Sequence, residues 1–133
     1  MATTGAFSNY MEEKIVEVLR GTTFTAPANT YLALFTAVAD GEAGTVTEAS
    51  YTNYARQEAT WTAISSGQTK NAATITFPAN GNVADSVTIT HIGVYDNSSG
   101  GNLLLYSDLT TSKTLAPGDV LSFAGNAIVF TIN

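Results

Sequence analysis

Apolar and polar positions along the chain change period once. Met11, Ile15, Val18 and Leu19 follow the i, i+4, i+7, i+8 spacing of one helix face, which predicts an amphipathic helix over residues 9–20. Asn9 with Glu12 three residues on has the form of a capping pair, and Ser8 is the alternative N-cap. Glu12 and Glu13 in the first turn and Arg20 in the last complement the helix dipole, and Gly21 supplies the stop.

After Gly21 the period falls to two. Tyr31-Leu-Ala-Leu-Phe-Thr is a nearly continuous apolar run, the pattern of a strand buried on both faces, with the helix expected over the second face. Asp40 to Asn53 is acidic, contains glycine and is weakly patterned, which predicts a long loop ordered by partners. Ala55, Gln57, Ala59, Trp61 and Ala63 alternate with polar neighbours, as do Ala73, Ile75 and Phe77, and each set reads as a half-buried strand. Thr88-Ile-Thr-His-Ile-Gly-Val-Tyr is a further strand, with Gly93 a bulge or a point of close approach. Asp96 to Asn102 turns the chain into Leu103-Leu-Leu-Tyr. Pro117-Gly118 sets a type II turn before two closing strands, Val120 to Phe123 and Asn126 to Ile132. Trp61, Phe77, Tyr95, Phe123 and Phe130 are the expected aromatic core, while Phe7 either staples the helix start or docks on a neighbour.

Seven or eight short strands separated by turn signals predict a mainly β fold. The expectation is an antiparallel β-sandwich or jelly-roll-like domain over residues 9–133, with one N-terminal α-helix packed on an edge or end. Residues 1–8 form a short N-terminal arm ahead of it. One domain suits 133 residues, which can bury an adequate core without staples. The chain has no cysteine, so disulfides, thiol chemistry and thiolate zinc sites are excluded.

Charge narrows the picture further. Five Lys and Arg stand against 11 Asp and Glu, a net of −6, and five scattered cations cannot neutralise a run of phosphates. Nucleic acid and anionic membrane are therefore not the expected partners. No run approaches the roughly 18 apolar residues of a membrane span, and the first residues lack the basic and apolar regions of a secretory signal. Charged residues make up only 12%, and 21 threonines take their place. Threonine suits strands, and charge depletion also suits surfaces that become covered.

Candidate chemistry is sparse. The single histidine, His91, shares a strand phase with Val87, Ile89 and Tyr95 and reads as a sheet histidine without a catalytic partner. The carboxylates Asp40, Glu42, Glu48, Glu58, Asp85, Asp96, Asp108 and Asp119 are dispersed rather than paired. Asp40-Gly-Glu42 lacks the alternating acids of a calcium loop, and Gly41-Glu-Ala-Gly44 lacks the lysine of a phosphate loop. No catalytic, cofactor or metal residue is assigned.

Several local phrases carry a resemblance: Asn9-Tyr-Met-Glu, Phe24-Thr-Ala-Pro-Ala, Tyr31-Leu-Ala-Leu-Phe-Thr, Tyr54-Ala-Arg, Ile75-Thr-Phe-Pro and Thr90-His-Ile-Gly-Val-Tyr-Asp. Gly101-Asn-Leu-Leu, Thr110-Thr-Ser-Lys, Gly118-Asp and Phe123-Ala follow in order. Over roughly residues 8 to 132 the chain resembles small tailed-bacteriophage virion proteins, commonly labelled tail-fibre or minor tail proteins. The resemblance implies a structural phage-particle component and brings no catalytic motif with it. On that basis the expected function is a non-enzymatic capsid decoration (cement) protein on the virion exterior, assembled in the host bacterial cytoplasm. The alternative is a short tail-fibre, minor tail or baseplate component, and a third reading is a carbohydrate- or receptor-binding module. The absence of a shaft-forming repeat favours the tile over the fibre. Expected partners are copies of the chain, as a trimer by closed symmetry, and the major capsid protein or other virion proteins. The arm residues Met1, Ala2, Thr3, Thr4, Gly5, Ala6 and Phe7 are the expected assembly interface.

Overall fold

Leu32, Ala33, Leu34 and Phe35 are all fully buried, and the strand that carries them is the centre of the molecule. A computed structural model describes residues 6–131, which contain ten strands and one helix. In order these are β1 (Ala6–Phe7), α1 (Asn9–Leu19), β2 (Thr30–Asp40), β3 (Thr45–Glu48), β4 (Gln57–Ala59) and β5 (Gln68–Lys70). β6 (Ile75–Thr76), β7 (Val87–Tyr95), β8 (Leu103–Leu115), β9 (Ser122–Phe123) and β10 (Val129–Thr131) complete the chain. The main sheet runs β1-β8-β7-β2-β3, with β4 also paired to β2, and all its pairings are antiparallel. Two short antiparallel ribbons, β5–β10 and β6–β9, complete a mainly β fold with a single helix near the N-terminus.

Alternation along β2 sends its side chains to two cores. Leu32 and Leu34 join Ile89, Ile92, Val94 and Leu104 against Ile75, Phe77, Phe123, Ile128 and Phe130 of the ribbons and their flanks. Ala33 and Phe35 meet Tyr95 and Leu103 on the other face, closed by Val38, Val46 and Tyr106. That second face was expected under the helix. Instead α1 packs against β8 and β1, and the chain's own β2–β3 and β7–β8 hairpins cover it.

Two fully buried asparagines secure the ribbons, Asn71 joining their flanks to one another and Asn80 bonding the end of β8 in the main sheet. The Asn71 amide donates to the carbonyls of Ala73 (3.0 Å) and Ala124 (2.8 Å) and accepts from the Ile128 N–H (2.8 Å). The Asn80 amide donates to Asp85 O and Leu115 O and accepts from the Asn82 N–H. Such amides are stable in a core only when satisfied, and both are. At the expected type II turn, the Asp119 N–H donates to Ala116 O and Gly118 adopts φ +88°.

Four further expectations need correction. The stretch from Asp40 to Asn53 is no loop: β3 pairs with β2 through a turn at residues 41–44, and Ala49 and Tyr51 enter the core. The residue accepting from the helix's first turn is Ser8, whose Oγ takes the Met11 N–H, rather than Asn9. β8 continues beyond Tyr106 to Leu115 through a polar run. Between the pairs Ile89–Lys113 and His91–Asp108, β7 uses Thr90 alone where β8 uses Leu109 to Ser112. This irregularity breaks the alternation of β7. Ile89, Ile92 and Val94 face the ribbon side, so His91 leaves the phase of Val87 and Ile89 and shares a face with Gly93 and Tyr95.

Candidate functional site

The end of the molecule where β7 turns into β8 concentrates the polar structure. Arg56, one residue before β4, is its organiser, and its side chain is only 8% exposed. Nε and Nη2 donate to the two Glu48 carboxylate oxygens, each at 2.8 Å. Nη1 donates to the carbonyls of Asn97 (2.9 Å) and Gly100 (2.7 Å) in the β7–β8 loop. The guanidinium carbon stands 3.5 Å from the Tyr95 ring centroid. Arg56 therefore ties β3, the start of β4 and the β7–β8 loop into one unit. Burial lowers its pKa, but the bond to Glu48 outweighs that and leaves it raised.

Tyr54 extends the cluster inward. Its hydroxyl donates to Glu48 Oε1 (2.7 Å) and accepts from the Leu34 N–H (3.1 Å), so it closes the inner side of the network against β2. Burial first, and then the Glu48 carboxylate, push this phenol far above the ordinary tyrosine range. Its ring stacks parallel to Phe77 and meets Tyr51 edge-on. Beside the cluster lies an open cleft of about 550 Å³, lined among others by Asn9, Glu42, Arg56, Gly100 and Asn102. Its cation, Arg56, already commits four of its five N–H donors to Glu48 and the two loop carbonyls.

Three of the dispersed acids have structural duties. Asp40 accepts from the Ala43 N–H, Asp96 from the backbone and side chain of Asn102, and Asp119 from the Ala116 N–H. Each closes a turn. His91 is half-buried with its Nδ1 2.8 Å from Thr90 Oγ1, and it lies opposite Asp108 in the sheet register. Among the described residues no three His, Asp or Glu side chains gather as a metal site, and no helix is long and apolar enough to cross a membrane.

Sequence reasoning missed what α1 does with its apolar stripe. The half-buried helix residues are Tyr10, Met11, Lys14 and Glu17, while Ile15, Val16, Val18 and Leu19 are 42%, 57%, 52% and 85% exposed. Tyr10 and Met11 anchor the first turn on the core, and the following two turns present their apolar side outward. Of the expected assembly residues, Met1, Ala2, Thr3, Thr4 and Gly5 lie outside the described residues. Ala6 and Phe7 pair with Tyr106 and Leu105 as an edge strand, and Ser8 is buried, so residues 6–8 are part of the fold rather than of a free arm.

The fold and site thus define an antiparallel β domain with one helix near its N-terminus, its loop end fixed by the Arg56 network and its helix turning apolar side chains outward. Its particular family follows from sequence: the chain belongs to the family described as podophage GP4 fiber I protein gp80, whose profile matches residues 6–131. No curated protein matches the chain. Membership makes it a bacteriophage virion protein of structural type. The family's description fits the fibre alternative better than the capsid tile that the missing shaft repeat had favoured.

Proposed function

We propose that this chain is a non-enzymatic component of a short fibre on a podophage tail, mounted on the outside of the virion and held by shape-matched contacts. The observation that carries the reading is the family match, which spans the whole described chain and whose name is that of a fibre protein. The fold agrees with a protein that works by contact: Arg56 and Tyr54 brace the loop end of a small β domain and hold its surface in one shape. The sequence has no shaft repeat, so length in such a fibre comes from association with other subunits rather than from this chain alone.

Location is tested on intact particles. Antibody against the folded chain, visualised by gold labelling in the electron microscope, is expected at the tail, with tens of copies per particle by quantitative mass spectrometry. Label spread over the capsid at hundreds of copies would overturn the fibre reading in favour of decoration.

A further inference from the structure

We infer that the outward stripe of α1 is a self-association surface, on which two copies of this chain pair their helices antiparallel about a two-fold axis. The inference goes beyond the proposed function and does not depend on where the protein sits on the particle. It starts from an inversion of the usual arrangement. An amphipathic surface helix normally turns its apolar stripe to the core. Here the side bearing Tyr10, Lys14 and Glu17 lies towards the body, and Lys14 and Glu17 pair there at 3.2 Å. Ile15 and Leu19 form the centre of the exposed side, with Val16 and Val18 flanking them.

The patch has the dimensions of a helix seam. Its four side chains expose on the order of 400 Å², the size of the largest apolar patch on an ordinary monomer, which is often functional. An eleven-residue helix is also marginal alone. Only its first turn is anchored on the core, so the last two turns gain most from a second helix.

Charge identifies the occupant and its direction. Glu12, Glu13 and Arg20 border the stripe on the Val16 side, along a shallow groove that they line together. None of the three makes an ion pair among the described residues. Within one copy Glu12 and Arg20 are about 12 Å apart along the axis at 1.5 Å per residue, too far to meet. In an antiparallel pair centred between Ile15 and Val16, the acidic end of each helix reaches Arg20 of the other, twice by symmetry. A parallel pair, related by an axis along the seam, would instead place the two charged borders on opposite edges, where Glu12 and Arg20 of the two copies cannot meet. The stripe is thus complementary to itself in one direction only, and a two-fold contact of this kind is isologous. It is smaller than a standard interface of ~800 Å² per partner, so the dimer is weak and reversible in solution and is reinforced by other contacts on the particle.

The test is the mass of the full-length chain by sedimentation velocity over micromolar to millimolar concentration, with circular dichroism as the check on folding. Wild type is expected to approach twice 13.9 kDa with rising concentration. Leu19→Glu, at a position 85% exposed, is expected to remain monomeric with the wild-type spectrum. Arg20→Glu should weaken dimerisation roughly tenfold, since two surface pairs turn repulsive. Adding Glu12→Lys and Glu13→Lys to Arg20→Glu should restore it. A wild-type chain that stays monomeric throughout overturns the inference and leaves the stripe to another virion protein. A trimer, or a dimer indifferent to Leu19→Glu or to Arg20→Glu, overturns it equally.

Discussion

Arg56 holds its guanidinium carbon 3.5 Å from the centroid of the Tyr95 ring while the edge of the same group grips Glu48 and two loop carbonyls. Tyr95 ends β7 and the carbonyls belong to the loop that follows, so one side chain fixes both the strand end and the path of the turn. A planar fork with several donors can do this, and a lysine ammonium cannot. Removing one partner of a buried, hydrogen-bonded ion pair typically costs about 3–5 kcal/mol. Because Glu48 is partly exposed, Arg56→Ala should fall near the lower end, about 3 kcal/mol in urea unfolding, and Arg56→Lys should recover less than half of that. Amide exchange at residues 97–102 should quicken in both. A lysine variant as stable as wild type would mean the fork contributes nothing beyond charge.

Gly93 marks the second constraint on the same sheet. A Cβ built there would stand 2.5 Å from two ring atoms of Phe35 and 2.8 Å from Leu103 Cδ1. Phe35 is fully buried and rests edge-on against Tyr95, so its ring has no free direction to retreat. Gly93→Ala is therefore expected to destabilise by about 1–3 kcal/mol as an overpacked core does. Combining it with Phe35→Leu should recover part of that loss in a double-mutant cycle, because the smaller side chain vacates the contested space. Additive losses in the cycle would place the strain elsewhere.

The sequence anticipated elements where burial is two-sided, whereas the strict alternation from Ala55 to Ala63 holds as a strand only over Gln57–Ala59, with Ala55 and Ala63 exposed. Tyr31 to Thr36 and Thr88 to Tyr95 are legible because their apolar residues have no alternative to the interior. The β3 strand was not, since Thr45-Val-Thr-Glu carries one apolar side chain and reads like the turn before it. The far half of β8 failed for the same reason: residues 110–114 are all exposed, and threonine in a polar run gives no face to count. His91 was misphased because the extra β8 residues opposite Thr90 leave no trace in a period-two pattern. The Arg56 cluster joins residues up to 44 positions apart, so no spacing could announce it. The helix is the instructive case. Its amphipathic pattern was correctly read, but a pattern specifies that a stripe needs cover, not whether the cover comes from within the chain.

Tyr54 gives the molecule a pH signature. An unfolded tyrosine ionises near pH 10, whereas in the fold burial and the Glu48 carboxylate keep the phenol protonated well beyond that. Burial also raises Tyr51, and Tyr95 against the pull of Arg56. For a raised pKa the sign is fixed: the stabilisation is complete below pH 10 and is lost as pH climbs towards the folded value, because only the unfolded chain releases the proton. Unfolding free energy should thus decline above pH 10 by up to about 1.4 kcal/mol per pH unit for Tyr54 alone. Tyr54→Phe should flatten that decline. It should also lower neutral-pH stability by about 1–2 kcal/mol, since the Leu34 N–H loses its partner. An alkaline slope unchanged in the phenylalanine variant would remove Tyr54 from the account.

The N-terminal segment allows a sharper dissection than deletion of residues 1–8 as a unit. Ser8 Oγ accepts from the Met11 N–H and donates to Leu103 O, so a single buried hydroxyl both caps α1 and ties it to the start of β8. The Ser8 N–H adds a bond to Leu104 O, and Ala6 and Phe7 extend the sheet along β8. Ser8→Ala should cost about 1–2 kcal/mol, the upper range for a lost N-cap, because the Leu103 carbonyl is left unpaired as well. Asn9→Ala, one residue on and exposed, should cost only a few tenths of a kcal/mol. Deleting residues 1–5 should leave the melting temperature within a degree or two, whereas deleting 1–8 removes β1 and the cap together and should lower it by more than Ser8→Ala does. Thermal denaturation of the four variants side by side separates the two roles. If the 1–8 deletion melts with wild type, then residues 6–8 are dispensable to the fold and the segment is free to act as an arm after all.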